Sequence, residues 1–134
     1  MVKFESGIKP VNASVDRVHL FLTDFANYEA LIPKEKITNW KCDVQTCSFT
    51  ISGIGEVGLK IAETSPNSFI KYISNGRVPF NFYLTAFQEP VSESNSTLKL
   101  VVDADLNPMM KMIASPHLEK FIDILAESFA NYPY

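Results

Sequence analysis

The chain has 134 residues, 46% of them hydrophobic and 20% charged, with a net charge of −3. That length predicts one domain, residues 1–134, able to bury a real core. Its scattered Lys and Arg residues supply no basic footprint, which excludes nucleic-acid binding and docking on anionic membranes, and no apolar run reaches the length of an integral membrane segment.

Met1–Gly7 lacks the apolar core of a signal peptide, so the expected address is cytoplasmic. Val2–Pro10 alternates as a half-buried strand. Phe4, Ser6 and Ile8 share one face, and Lys3, Glu5 and Lys9 the other. Ser14 is a suitable N-cap for a helix with Val15, Val18 and Leu22 inward and Phe21 and Phe25 flanking. A second short helix is expected around Asn27–Leu31, ending before Pro33.

Strands then dominate. Ile37–Val44 and Cys47–Ser52 form a predicted hairpin with Cys42 opposite Cys47, Trp40 opposite Phe49 and Thr38 opposite Ile51. In a reducing compartment both cysteines stay thiols. C-x4-C offers two ligands where a structural zinc needs four, so no metal site is expected. Gly53 and Gly55 mark a turn, and the Gly53–Ile54–Gly55 run is no phosphate loop because strand sequence follows it. Glu56–Ser65 points Val57, Leu59 and Ile61 one way. Pro66–Asn67 turns, Ser68–Asn75 is a strand, and Asn75–Gly76 turns again. Phe80–Glu89 is apolar on both faces, from Phe80 to Phe87. A dimer contact or cover by the first helices would bury it, and cover within the monomer is the expectation. Thr97–Asp105 sends Leu98, Leu100, Val102 and Ala104 inward and leaves Asp103 and Asp105 on a solvated face.

Asn107 caps a final helix, Pro108 occupies its first position and Pro133 bars its continuation, giving Pro108–Asn131, roughly 36 Å long. Leu118, Phe121, Ile122, Leu125 and Phe129 make its apolar stripe. Met109, Met110 and Met112 suit an adaptable surface. Pro116 should kink or briefly break the helix, with Ser115 capping the new start. Pro108–Ser115 then becomes a mobile flap.

The order strand, two helices, six strands and long helix, with connections too short for crossovers, describes an α+β protein. It is a seven-stranded antiparallel sheet around a C-terminal helix, with two short helices between strands 1 and 2. This order resembles the helix-grip fold of the START and birch-pollen-allergen (SRPBCC) superfamily. The segment Val11–Pro33 is similar to its opening pattern, with Ala13 or Ser14, Asp24, Tyr28 and Pro33 at the matching positions. Ser52–Val57 (SGIGEV) and Ala104–Met109 (ADLNPM) resemble the bacterial polyketide cyclase/dehydratase-like branch.

The resemblance implies a cavity between sheet and helix, expected to be lined by Trp40, Phe49, Leu59, Tyr72, Phe82, Leu100, Met109, Met112 and Phe121, with His117 beside it. Ten phenylalanines could fill much of that space. The leading expectation is a non-catalytic binder of a small hydrophobic, lipid- or polyketide-like molecule, needing no cofactor. An enzyme of the cyclase or dehydratase type is the second reading, with Tyr72, Arg77 and His117 as its candidates. His117 has a suitable ordinary pKa but no identifiable carboxylate partner, and a place beside the apolar stripe is favoured. His19 reads as a surface or packing residue. The third reading is a protein-interaction module, quinone-chaperone-like, with a homodimer left open.

Overall fold

The computed structural model describes residues 1–76 and 78–134. Eight strand segments form one antiparallel sheet. They are β1 (Val2–Glu5), β2 (Lys9–Val11), β3 (Ile37–Cys42), β4 (Thr46–Ile51), β5 (Gly55–Ser65), β6 (Phe69–Ser74), β7 (Phe82–Pro90) and β8 (Ser96–Ala104). The sheet order is β1-β8-β7-β6-β5-β4-β3, and β2 also pairs with β8. Helix α1 (Val15–Leu22) and a 3-10 turn (Phe25–Ala30) lie between β2 and β3, and α2 (Pro108–Asn131) closes the chain. This is the helix-grip α+β arrangement that the order of elements predicts.

The caps work as expected. Ser14 Oγ accepts from Arg17 N at 3.2 Å, and Asn107 Oδ1 accepts from Met110 N at 2.8 Å. Asp24 caps the 3-10 turn through Ala26 N at 2.9 Å. Helix α2 lays Leu118, Phe121, Ile122, Leu125 and Phe129 on the sheet, and Ala126 and Ala130 in the same stripe are buried too.

Three departures from strict alternation reshape the sheet. The first strand is split. The sum of paired residue numbers is one higher in β2 than in β1, so the register slips by one between them. Ser6 stitches the gap. Its N–H donates to Leu100 O and its Oγ accepts from Leu100 N, both at 2.9 Å. The slip reverses the expected faces beyond it. Ile8 is exposed, and Lys9 turns toward α2 to meet Asp123 at 3.1 Å and Glu127 at 3.0 Å.

The second departure is in β3. Cys42 stands opposite Cys47, but Thr38 pairs with Thr50 and Ile37 with Ile51, not Thr38 with Ile51. Asn39 takes φ 56°, the left-handed conformation that Asn tolerates better than most residues, and a bulge absorbs one residue there. Trp40 still stacks on Phe49, with ring centroids 5.5 Å apart. The third is a register shift in β5 between Ile61 and Glu63.

The inner face of β7 (Phe82, Leu84, Ala86, Gln88) is buried, and α1 packs against β7 and β6. On the outer face Lys71 sits 4.7 Å from the Tyr83 ring centroid and Phe87 remains exposed beside Phe69. Cover within the chain thus reaches one face of this strand.

The expected break at Pro116 is absent: α2 is helical on both sides of it. Pro116 and Met112 both face solvent, so water can satisfy the Met112 carbonyl that proline leaves without a donor. Ser115 caps nothing, and its Oγ is buried without a partner.

Two outcomes are expected. Pro116→Ala restores the missing backbone donor in an exposed helix and should raise stability by about 1–3 kcal/mol, read as a higher urea midpoint at unchanged slope. Gly58→Ala should cost about 1–3 kcal/mol, because a Cβ at Gly58 would run into Asn75 O just past the end of β6. A Gly58→Ala midpoint equal to wild type would show that this backbone contact gives way freely.

Candidate functional site

The space between sheet and α2 is nearly filled. Two apolar cavities remain, of about 30 and 40 Å³. A single water occupies about 30 Å³ of liquid. The first is bounded by Trp40, Phe49, Leu59, Tyr72 and Leu100, all expected at the cavity that the resemblance implies, together with Tyr28, Ile32, Ile37, Leu84, Leu125 and Phe129. The second lies toward the N-terminal half of α2, between Ile51, Ile54, Val57, Phe80, Phe82, Val102 and Leu118.

The other expected residues fall elsewhere. Met109 and Met112 are 72% and 79% exposed and line neither cavity. The first turns of α2 present these side chains to water. Phe121 is buried in the helix stripe but borders neither cavity. His117 is exposed, and its ring covers the Gly53 backbone so closely that a methyl group at 53 would lie 2.8 Å from it. Gly53 has φ 85°, so the turn needs glycine for its backbone as well as for this contact. Arg77 lies outside the described residues. Tyr72 and His117 are therefore not assembled into an acid–base pair. His19, which could have stood at the surface, is buried and its Nδ1 lies 3.1 Å from Gln88 Oε1.

Tyr28 is the residue that strand periodicity could not supply, since it sits in the 3-10 turn. Its ring stacks on Trp40 at 6.4 Å, and Trp40 stacks in turn on Phe49. The Tyr28 hydroxyl donates to Leu22 O at 2.6 Å. Its single proton is thereby used, so the adjacent Tyr72 hydroxyl donates to Tyr28. A directed chain results, Tyr72 to Tyr28 to Leu22 O. Burial, then the neighbouring ring, pushes the Tyr28 phenol well above its ordinary value, and burial does the same for Tyr72. Both stay neutral and act as hydrogen-bonding groups.

Trp40 is the sole tryptophan, and its indole Nε1–H is buried with no partner among the described residues. An unpaired buried donor costs about 1–3 kcal/mol. It belongs to a side chain whose apolar surface bounds the first cavity.

A wider cleft of about 700 Å³ lies at the rim, between Pro10, Asn12, Asn95 and Thr97 and the final residues Tyr132–Tyr134. It is separate from the sheet–helix interior. Among the described residues no group of three or more His, Cys, Asp or Glu is placed to hold a metal, and no helix is long and apolar enough to cross a membrane.

No known family model matches the sequence, and no curated protein matches it. Solved structures do match. BexL, a di-domain ARO/CYC protein of the BE-7585A biosynthetic pathway, is 14% identical with a TM-score of 0.74. The match covers 97% of this chain and 45% of BexL, so this chain spans less than half the length of that protein. The Aha1 dimer protein from Colwellia psychrerythraea is 16% identical, with TM-score 0.69 and coverage of 98% and 95% of the two chains. A START superfamily protein from Mycobacterium smegmatis is 15% identical, with TM-score 0.65 and coverage of 93% and 97%. The fold is that of the START and birch-pollen-allergen-like proteins.

The directed chain makes the two tyrosines unequal. Tyr28→Phe strands the Tyr72 hydroxyl and should cost about 2–3 kcal/mol, whereas Tyr72→Phe removes one bond and should cost about 1 kcal/mol. Equal losses in urea unfolding would contradict the assigned direction. The raised phenol pKa values also fix a pH dependence. The folded state keeps protons that the unfolded chain releases above about pH 10, so the contribution of these phenols to stability should be constant just below that pH and be lost above it. Unfolding monitored by circular dichroism should then rise together with tyrosinate absorbance.

Proposed function

We propose that this protein, as one domain and in the cytoplasm, binds a small hydrophobic molecule between the sheet and α2. The Trp40 indole N–H carries this reading. It is a buried donor with no partner among the described residues, in a side chain that bounds an apolar cavity and stacks on the Tyr28 ring. A flat ligand bearing a carbonyl, polyketide-like in chemistry, would satisfy that donor and stack among Tyr28, Trp40 and Phe49. Phe82 and the second cavity would extend the site toward the Gly53–Gly55 turn. The empty space is far below the several hundred Å³ of ordinary ligand pockets, so binding requires side chains to move. The likeness of BexL in fold supports the ligand class without assigning an activity.

Fluorenone, a polycyclic aromatic ketone, and oleic acid serve as probes for the polyketide-like and lipid-like versions. Fluorenone should quench Trp40 emission saturably. By native mass spectrometry Trp40→Phe should weaken its binding about three- to tenfold, the worth of one neutral hydrogen bond. Stronger retention of oleic acid would move the ligand class to lipids. Retention of neither would reject the reading.

The exposed Phe87 beside Phe69 favours an interaction surface as the second reading, whether for a homodimer or for a quinone-chaperone-like partner. Strictly monomeric behaviour unchanged by Phe87→Lys would count against the homodimer. The cyclase or dehydratase reading has less support, because His117 stands apart from the cavities.

A further inference from the structure

We propose that Cys42 and Cys47 are a dithiol site that a hydroperoxide converts into an intramolecular disulfide across the β3–β4 hairpin. The two residues are directly opposite one another, so their side chains share a face of the sheet. Asp43 N donates to Thr46 O at 2.8 Å, which makes Asp43 and Thr46 a hydrogen-bonded pair. The adjacent Cys42/Cys47 pair is then a non-hydrogen-bonded one, where side chains approach most closely and Cα atoms stand about 4.5 Å apart. A disulfide spans Cα separations of about 4.4–6.8 Å. Closure therefore needs side-chain rotation and little backbone movement. The bulge at Asn39 leaves this end of the hairpin in register.

The two thiols differ in access. Cys42 is exposed and Cys47 is 5% exposed, within the core. Both residues border a shallow recess of about 300 Å³ that Lys41, Asp43 and Asn75 also line. Burial, then the neighbouring Cys42, pushes the Cys47 thiol up to about 12, so Cys42 is the sulfur that reacts first.

The steps balance. Cys42 loses its proton to solvent, and its thiolate attacks one oxygen of hydrogen peroxide. An S–O bond forms, the O–O bond breaks, and hydroxide leaves to take up a proton as water. Cys42 is now a sulfenic acid. The Cys47 sulfur attacks it, forming the S–S bond, and the Cys42 hydroxyl departs with the Cys47 proton as a second water. Two thiols have been oxidised and one peroxide reduced. The bond would tie edge strand β3, two residues beyond Trp40, to β4.

The test uses the purified full chain treated with hydrogen peroxide. Both thiols should disappear together from iodoacetamide labelling under denaturing conditions. The monomer should lose the mass of two hydrogens, and dithiothreitol should restore both. Hydrogen exchange at residues 39–42 should slow in the oxidised form. Cys47→Ser should stop at a Cys42 sulfenic acid that dimedone traps. Cys42→Ser keeps the core intact and should leave Cys47 unreactive to peroxide while folded. Sulfinic acid on Cys42 with Cys47 still alkylatable would overturn the proposal. So would disulfide-linked dimers through Cys42 without the intramolecular bond. These readouts involve no ligand, so failure of the ligand-binding reading leaves them unaffected.

Discussion

The structure depends on one helix face meeting one sheet face. Leu118, Ile122, Leu125 and Phe129 recur at helical spacing, and Ala126 and Ala130 between them leave no bulk to hold α2 away from the strands. Each fully buried large apolar side chain contributes about 1.5–3 kcal/mol, so this stripe outweighs any polar contact in the molecule. The exposed ion pairs of Lys9 with Asp123 and Glu127 lie along the same seam. Their pairing holds Asp123 below the usual carboxylate range, yet at the surface such pairs add little. Their role is geometric: they set where β2 lies against the helix.

Several buried polar groups share one arrangement. They bridge elements that apolar packing alone would leave free to slide. Ser6 joins the split first strand to β8, Ser96 Oγ donates to Ala13 O ahead of α1, and His19 meets Gln88 between α1 and β7. The Tyr72–Tyr28–Leu22 chain links β6, the 3-10 turn and the end of α1. Directional bonds of this kind specify one packing among several of similar apolar area.

The sequence disclosed elements whose signals are local. Helix α2 has the bounds that Asn107, Pro108 and Pro133 impose, because caps and proline act over one turn. Alternation in β4 and β8 shows which residues face inward, and the family resemblance added the cavity at which Trp40, Phe49, Leu59, Tyr72 and Leu100 meet. What was illegible is whatever depends on pairing. A bulge at Asn39 or a slip near Ser6 leaves no composition signal, yet the slip reverses the faces of Ile8 and Lys9. Tyr28 escaped for a related reason, since a 3-10 turn has no periodicity to extrapolate. Met109 and Met112 were misplaced because residue type says that a surface is adaptable, not where a helix outruns its sheet.

The small cavities follow from the same constraint. A ligand-sized space of about 300 Å³ left empty would cost about 7 kcal/mol at the coefficient measured for engineered cavities. That is comparable with the whole stability of a typical domain, about 5–15 kcal/mol. An empty void of that size would take up much of such a stability, and here aromatic side chains such as Tyr28, Trp40, Phe49 and Phe129 close the space. Any occupant must therefore recover by its own burial what it displaces. On the reading proposed above, closed packing and ligand binding would be two states of one core, separated by movements of side chains such as Trp40. Among the described residues, the indole N–H is one of the polar groups that the closed state leaves without a partner.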